Sequence, residues 1–118
     1  MRVLICGSRH LKCTLTEFWW ELAKQWEFSP ADVIISGGAR GADTLAESFA
    51  KDQKLIPEVY PADWDKYGKA AGHIRNKQML EEGKPDLVIA FLAKDSKGTK
   101  NMIEQATKAG VPVKVIEI

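Results

Sequence analysis

Asp32-Val33-Ile34-Ile35-Ser36-Gly37-Gly38-Ala39-Arg40-Gly41-Ala42-Asp43 changes character in its middle, and that change decides the fold. Asp32 to Ile35 is a short apolar, β-branched run, the mark of a strand buried on both faces. Three glycines follow within five positions, and from Gly41 or Asp43 to Asp52 the residues Ala42, Ala46, Phe49 and Ala50 recur at helical spacing. The same change is repeated on either side. Val3 to Cys6 is an apolar run stopped by Gly7, and a helix follows it. Thr14-Leu15-Thr16-Glu17 has the form of a capping box. Behind it, Leu15, Phe18, Trp19, Leu22, Ala23 and Trp26 lie on one broad helical face.

Further along, Leu55 to Tyr60 reads as a third strand, kept short or at an edge by Pro57. Pro61 to Gly72 reads as a loop carrying Trp64 and Tyr67. Ile74 to Glu82 is a helix stopped at Gly83, with Pro85 beyond it. Asp86 to Leu92 is a fourth strand. A last helix, Thr99 to Ala109, has Thr99 as its N-cap and Gly110 as its stop, and Val111 to Ile118 closes the chain as a fifth strand. Strand and helix alternate to the end, which demands right-handed crossovers between parallel strands. The expected fold is one α/β domain over residues 1–118, Rossmann-like and doubly wound. A mostly parallel five-stranded sheet carries four helices, on both faces.

The 118 residues suffice for one hydrophobic core and not for two. With 45% hydrophobic and 28% charged residues, the composition is that of a globular protein. No apolar run approaches a membrane span, and no leader of the secretory kind opens the chain, so the expectation is a cytoplasmic protein without membrane contact. Cys6 and Cys13 form no C-x-x-C or Cys/His group, which argues against a disulfide framework and a metal site. Seventeen basic residues against sixteen acidic leave a formal charge of +1, and without a basic excess nucleic acid is a disfavoured partner.

In such folds ligands sit at the carboxyl ends of the strands. There, Ser36, Gly37, Gly38, Arg40, Gly41 and Asp43 form a glycine-rich strand-to-helix turn suited to an anion, with amides and a helix N-terminus for phosphate and Arg40 for charge. The plainer reading of the same stretch is a tight turn with Asp43 as a helix cap. Gly7, Ser8 and Arg9 follow the first strand in the same way and should neighbour that loop, while His10 reads as an ordinary loop histidine. Gly98 and Thr99 open the last helix. Trp64 is a candidate for stacking a base, Arg75 for reaching a phosphate, and Asp63 or Asp65 for accepting from ribose hydroxyls. Neither a Walker A pattern nor G-x-G-x-x-G is present. Trp20, beside the buried face of the first helix, points to a homodimer contact.

Taken together and in order, these motifs are familiar: Arg2 to Arg9, Ser36 to Asp43, Pro61 to Asp65, Gly72-His73-Ile74-Arg75-Asn76 and Lys97-Gly98-Thr99. The chain resembles the YspA-related (cpYpsA-related) branch of the SLOG superfamily, to which the "lonely guy" phosphoribohydrolases and the DNA-processing protein A are distant relatives. The resemblance implies a site for a nucleotide or nucleotide-derived ligand, with NAD or ADP-ribose types favoured, often in dimers. The phosphoribohydrolases carry Pro-Gly-Gly-x-Gly-Thr-x-x-Glu with a catalytic Glu. Here Gly98 and Thr99 keep the Gly-Thr pair, Asp95-Ser96 replace Gly-Gly, and Met102 stands at the Glu position. Glu104 lies about 200° further round the helix and is no substitute. Arg75 matches those enzymes' partner arginine.

The leading expectation is therefore a domain that senses or sequesters a phosphorylated small molecule and requires no cofactor. A hydrolase acting on an N-glycosidic or phosphate bond, with Asp43, Asp63 or Asp65 as acid or base, is the alternative. A DNA-binding module is the third.

Overall fold

The computed structural model describes residues 1–94 and 96–118; Asp95, named above, lies outside the described residues. Five strands, β1 (Arg2–Gly7), β2 (Val33–Ser36), β3 (Ile56–Val59), β4 (Leu87–Leu92) and β5 (Val113–Glu117), form one sheet in the order β3-β2-β1-β4-β5. Every pairing is parallel, with Val3 opposite both Ile34 and Leu87. The doubly wound fold expected from the alternating periods is the fold observed.

Period-two alternation in the central strands divides the core into two layers. Val3, Ile5, Ile89 and Phe91 face α1 (Leu15–Ala23) and α2 (Ala42–Asp52), where Phe18 stacks on Phe91 with ring centroids 4.8 Å apart. Leu4, Cys6, Val88 and Ala90 face α4 (Ala71–Gly83) and α5 (Lys97–Lys108), meeting Met79, Met102 and Ala106. Burial on both faces is why β1 and β4 read as unbroken apolar runs. β3, with Pro57, lies at an edge, and its Ile56 is exposed.

The caps show how local sequence fixes the helices. Thr14 Oγ1 accepts from the Glu17 N–H at 3.1 Å, and Glu17 Oε1 accepts from the Thr14 N–H at 2.9 Å, completing the expected box. Elsewhere the boundaries differ. The supposed loop 61–72 contains a one-turn helix, α3 (Trp64–Tyr67), then a 3-10 turn, and α4 begins at Ala71. Asp63 Oδ1 accepts from the Lys66 N–H at 3.1 Å and caps α3. The last helix starts one half-turn earlier than expected. Ser96 is its N-cap, and Thr99 is a buried residue of its first turn. Gly83 ends α4 but does not supply its left-handed cap, which is Lys84; Gly83 is packed against Ile35. Trp20 is 58% exposed beside Trp19. Among the described residues, no helix is long and apolar enough to cross a membrane.

Candidate functional site

The sheet order reverses between β1 and β4. The first crossovers run outward to β2 and β3 on one side and the later ones to β5 on the other, which leaves a crevice beyond the carboxyl ends of β1 and β4. A cleft of about 340 Å³ occupies that position. Gly7, Ser8, Arg9 and His10 from the β1 loop form one wall, and Arg75 and Asn76 from α4 another. The first turn of α5 supplies Ser96, Lys97, Gly98 and Thr99, and Asp43 reaches in from α2. Residues at α5 positions 97 to 99 begin the helix, where N–H groups have no acceptor in the preceding turn.

Charge is unevenly distributed here. Among the described residues the lining contains Arg9, Lys69, Arg75 and Lys97 against one carboxylate, Asp43, although the whole chain is nearly balanced. A locally basic, concave surface is what an anion selects.

The glycine-rich turn is tied to the elements around it. Arg75 lies across it, donating from Nη1 to the Gly37 carbonyl at 2.7 Å, and a Cβ at residue 37 would overlap the guanidinium. Gly41, at φ +71°, is pressed against the backbone of Ser8 and Arg9, where a Cβ would collide. The Ala42 N–H, first of α2, already donates to the Ser8 carbonyl at 3.1 Å. The Ala39 N–H donates to Asp43 Oδ2 at 3.2 Å. Two of the turn's N–H groups are thus met within the protein, by Ser8 and Asp43. The turn seats Arg75 and joins the β1 and β2 loops, which are neighbours as the sequence implied. Gly37, Gly38 and Arg40 line a second recess of about 300 Å³, shared with Arg9, Trp64 and Arg75. Ser36 and Gly41 line neither space, and the Ser36 hydroxyl is buried without a partner among the described residues.

Arg75 is held from its other side as well. Its Nε donates to Asn76 Oδ1 at 3.1 Å. Asn76 Nδ2 in turn donates to the Gly98 carbonyl and to Asn101 Oδ1, both at 3.1 Å. Gln105 Nε2 donates to Asn101 Oδ1 at 2.7 Å and to the His73 carbonyl at 3.3 Å. Partial burial draws the Arg75 pKa down, and the nearby Asp43 carboxylate opposes that. Asn76 was not among the expected site residues. The signal for it was a buried-face position in α4, with Met79 and Gly83 at i+3 and i+7.

Asp43 is 5% exposed. Burial pushes its carboxyl up to about 6, against the pull of Arg75, the Ala39 N–H and Arg9, while Glu47 adds to the rise. It caps no helix end; the N-cap position of α2 is Gly41. Its Oδ1 has no hydrogen-bond partner among the described residues. Asp63 and Asp65 line neither space. Trp64 lines both and is 47% exposed, with the Arg9 guanidinium carbon 5.2 Å from its ring centroid. Cys6 also lines the cleft, and burial raises its pKa so far that it remains a thiol. Met102 is fully buried. Among the described residues no group of three or more His, Cys, Asp or Glu is placed to hold a metal.

These features define a class: a doubly wound α/β domain whose switch-point cleft is polar and basic. The chain belongs to the YspA, cpYpsA-related SLOG family, whose model matches residues 1–67. That match takes in the β1 loop, the glycine-rich turn and Trp64, and ends before Arg75 and α5. The chain is also similar to the "Gene 61 protein" of Mycobacterium phage D29, 42% identical over 95% of this chain and 93% of the relative.

Proposed function

We propose that this protein binds a phosphorylated small molecule of nucleotide type in the cleft at the ends of β1 and β4, as a sensing or sequestering domain. The observation that carries this reading is the lining: among the described residues, four cationic side chains, Arg9, Lys69, Arg75 and Lys97, stand against one carboxylate in a near-neutral chain. Phosphate oxygens are taken by Arg9 and Arg75 and by the first-turn amides of α5 at Gly98 and Thr99, where the helix dipole favours an anion. Trp64 offers a ring face for the base. Family membership supports a nucleotide-derived ligand, with NAD or ADP-ribose types as the first candidates. No cofactor is required for binding.

The test is thermal unfolding in the presence of AMP, ADP, NAD, ADP-ribose, cyclic dinucleotides and inorganic phosphate. A ligand at a hundred times its Kd stabilises the folded state by about 2.7 kcal/mol. Arg75→Gln should abolish that gain. No stabilisation by any of these at millimolar concentration overturns the reading.

A second reading, hydrolysis of the bound ligand, is favoured by one observation. Asp43, in the cleft wall, has a carboxyl pushed up to about 6, near the range useful to an acid or base. Products formed from nucleoside monophosphates or NAD by the wild type, and not by Asp43→Asn, would establish it. Turnover that survives Asp43→Asn would exclude that role.

A further inference from the structure

Asp43 is the one carboxylate among the described residues that line the cleft. The side chain is 5% exposed, lines the cleft, and uses one oxygen, Oδ2, to accept from the Ala39 N–H. The other oxygen is buried and has no donor among the described residues. A buried acceptor left unmet is costly, and such groups in native proteins usually find a partner. The groups that act on it are Arg75 from α4, Arg9 from the β1 loop, Glu47 from its own helix and Cys6 from β1. Neither arginine makes a hydrogen bond to it. Both are the groups assigned to phosphate in the reading above.

Resting on that reading, we infer that Asp43 Oδ1 accepts a hydrogen bond from a sugar hydroxyl of the bound nucleotide, so that the cleft selects ribo- over dideoxyribonucleotides. Two considerations favour a sugar hydroxyl over the ligand's other donors. A cationic group at Oδ1 would sit beside Arg75 and Arg9 and be repelled by both. A donor on the base edge is separated from the phosphate by the width of the sugar, whereas Asp43 lies within the field of the arginine that holds phosphate. A neutral hydroxyl on the sugar meets both conditions. Charge at the acceptor strengthens such a bond.

Isothermal titration calorimetry on the full chain tests this with ADP, GDP, CDP and UDP, their 2′,3′-dideoxy counterparts, and inorganic pyrophosphate. The wild type should bind at least one ribonucleotide about 10–100-fold more tightly than its dideoxy form, the range expected of a hydrogen bond to a charged acceptor. Asp43→Ala should bring the two affinities together. Because both forms carry the same phosphates, phosphate titration cancels in their ratio. That ratio should fall toward one as pH drops below about 6 in the wild type. Asp43→Asn, which keeps the shape, should make it independent of pH. Equal binding of ribo and dideoxy forms by the wild type overturns the inference and leaves the phosphate reading standing. Binding of none of the nucleotides and no pyrophosphate, together with no stabilisation by AMP, NAD, ADP-ribose, cyclic dinucleotides or inorganic phosphate in thermal unfolding, overturns both.

Discussion

Replacing Asp43 by Asn keeps the size and the acceptor for the Ala39 N–H while removing a charge that the fold has taken out of water. In the folded state its carboxyl is raised from 3.8 to about 6, with burial as the dominant cause. Because the folded value lies above the unfolded one, the native state retains a proton through the window between them that the unfolded chain has released. Stability therefore falls as pH rises through that window. The full penalty is present above about pH 6, and it disappears below the unfolded value. Two pH units correspond to about 3 kcal/mol at 1.36 kcal/mol per unit. The Asn variant should accordingly be more stable than wild type by about 3 kcal/mol at pH 7.5, shrinking to about 1 kcal/mol at pH 4.5. Urea unfolding followed by tryptophan fluorescence reads this directly. With a slope of about 1.5 kcal/mol/M, the larger gap moves the midpoint by about 2 M. A variant no more stable than wild type at pH 7.5, or a gap that does not change with pH, would mean that Arg75 fully compensates the buried charge. The account of Asp43 as an unmet acceptor would then fail.

Two glycines are expected to respond in opposite senses. Gly37→Ala drives a methyl group into the Arg75 guanidinium, which can swing away, so stability should fall by no more than about 1 kcal/mol while phosphate-ligand affinity drops roughly 10–100-fold in calorimetry. Gly98→Ala meets no protein atom within 4 Å and removes a flexible residue from a helix. Urea unfolding should show a gain of about 0.5–1 kcal/mol, and the same ligand should bind more weakly because the methyl enters the cleft.

Much of the architecture was legible because it rests on local pattern. Val3 to Cys6 and Leu87 to Leu92 are buried on both faces and announce themselves as apolar runs, and Thr14 with Glu17 marks the start of α1 by chemistry alone. A four-residue helix has no period to read, so α3 passed for a loop. Thr99 has the chemistry of a cap ahead of an amphipathic run, yet the N-cap position falls at Ser96, three residues earlier, whose hydroxyl accepts from the Ala93 N–H. The site was legible in its members more than in its arrangement. Arg75 was expected to meet a ligand, but nothing local reveals that Gly37, thirty-eight positions away in the chain, is its seat. Three glycines beside a helix start suggested an anion cradle. Which N–H groups of such a turn stay free depends on groups brought in by the fold, and here the Asp43 carboxylate takes that of Ala39 and the Ser8 carbonyl that of Ala42. The Asn76 relay depends on two helices meeting side by side on one face of the sheet, which no window of sequence contains.

The amide relay from Arg75 through Asn76 and Asn101 to Gln105 has a consequence for how variation can accumulate. It ties α4 and α5 together as one jaw of the cleft, so a change at position 76, 101 or 105 is expected to disturb both the guanidinium and the α5 turn. Swapping either helix with a relative's, without its companion, would hand the molecule two half-jaws cut to different templates.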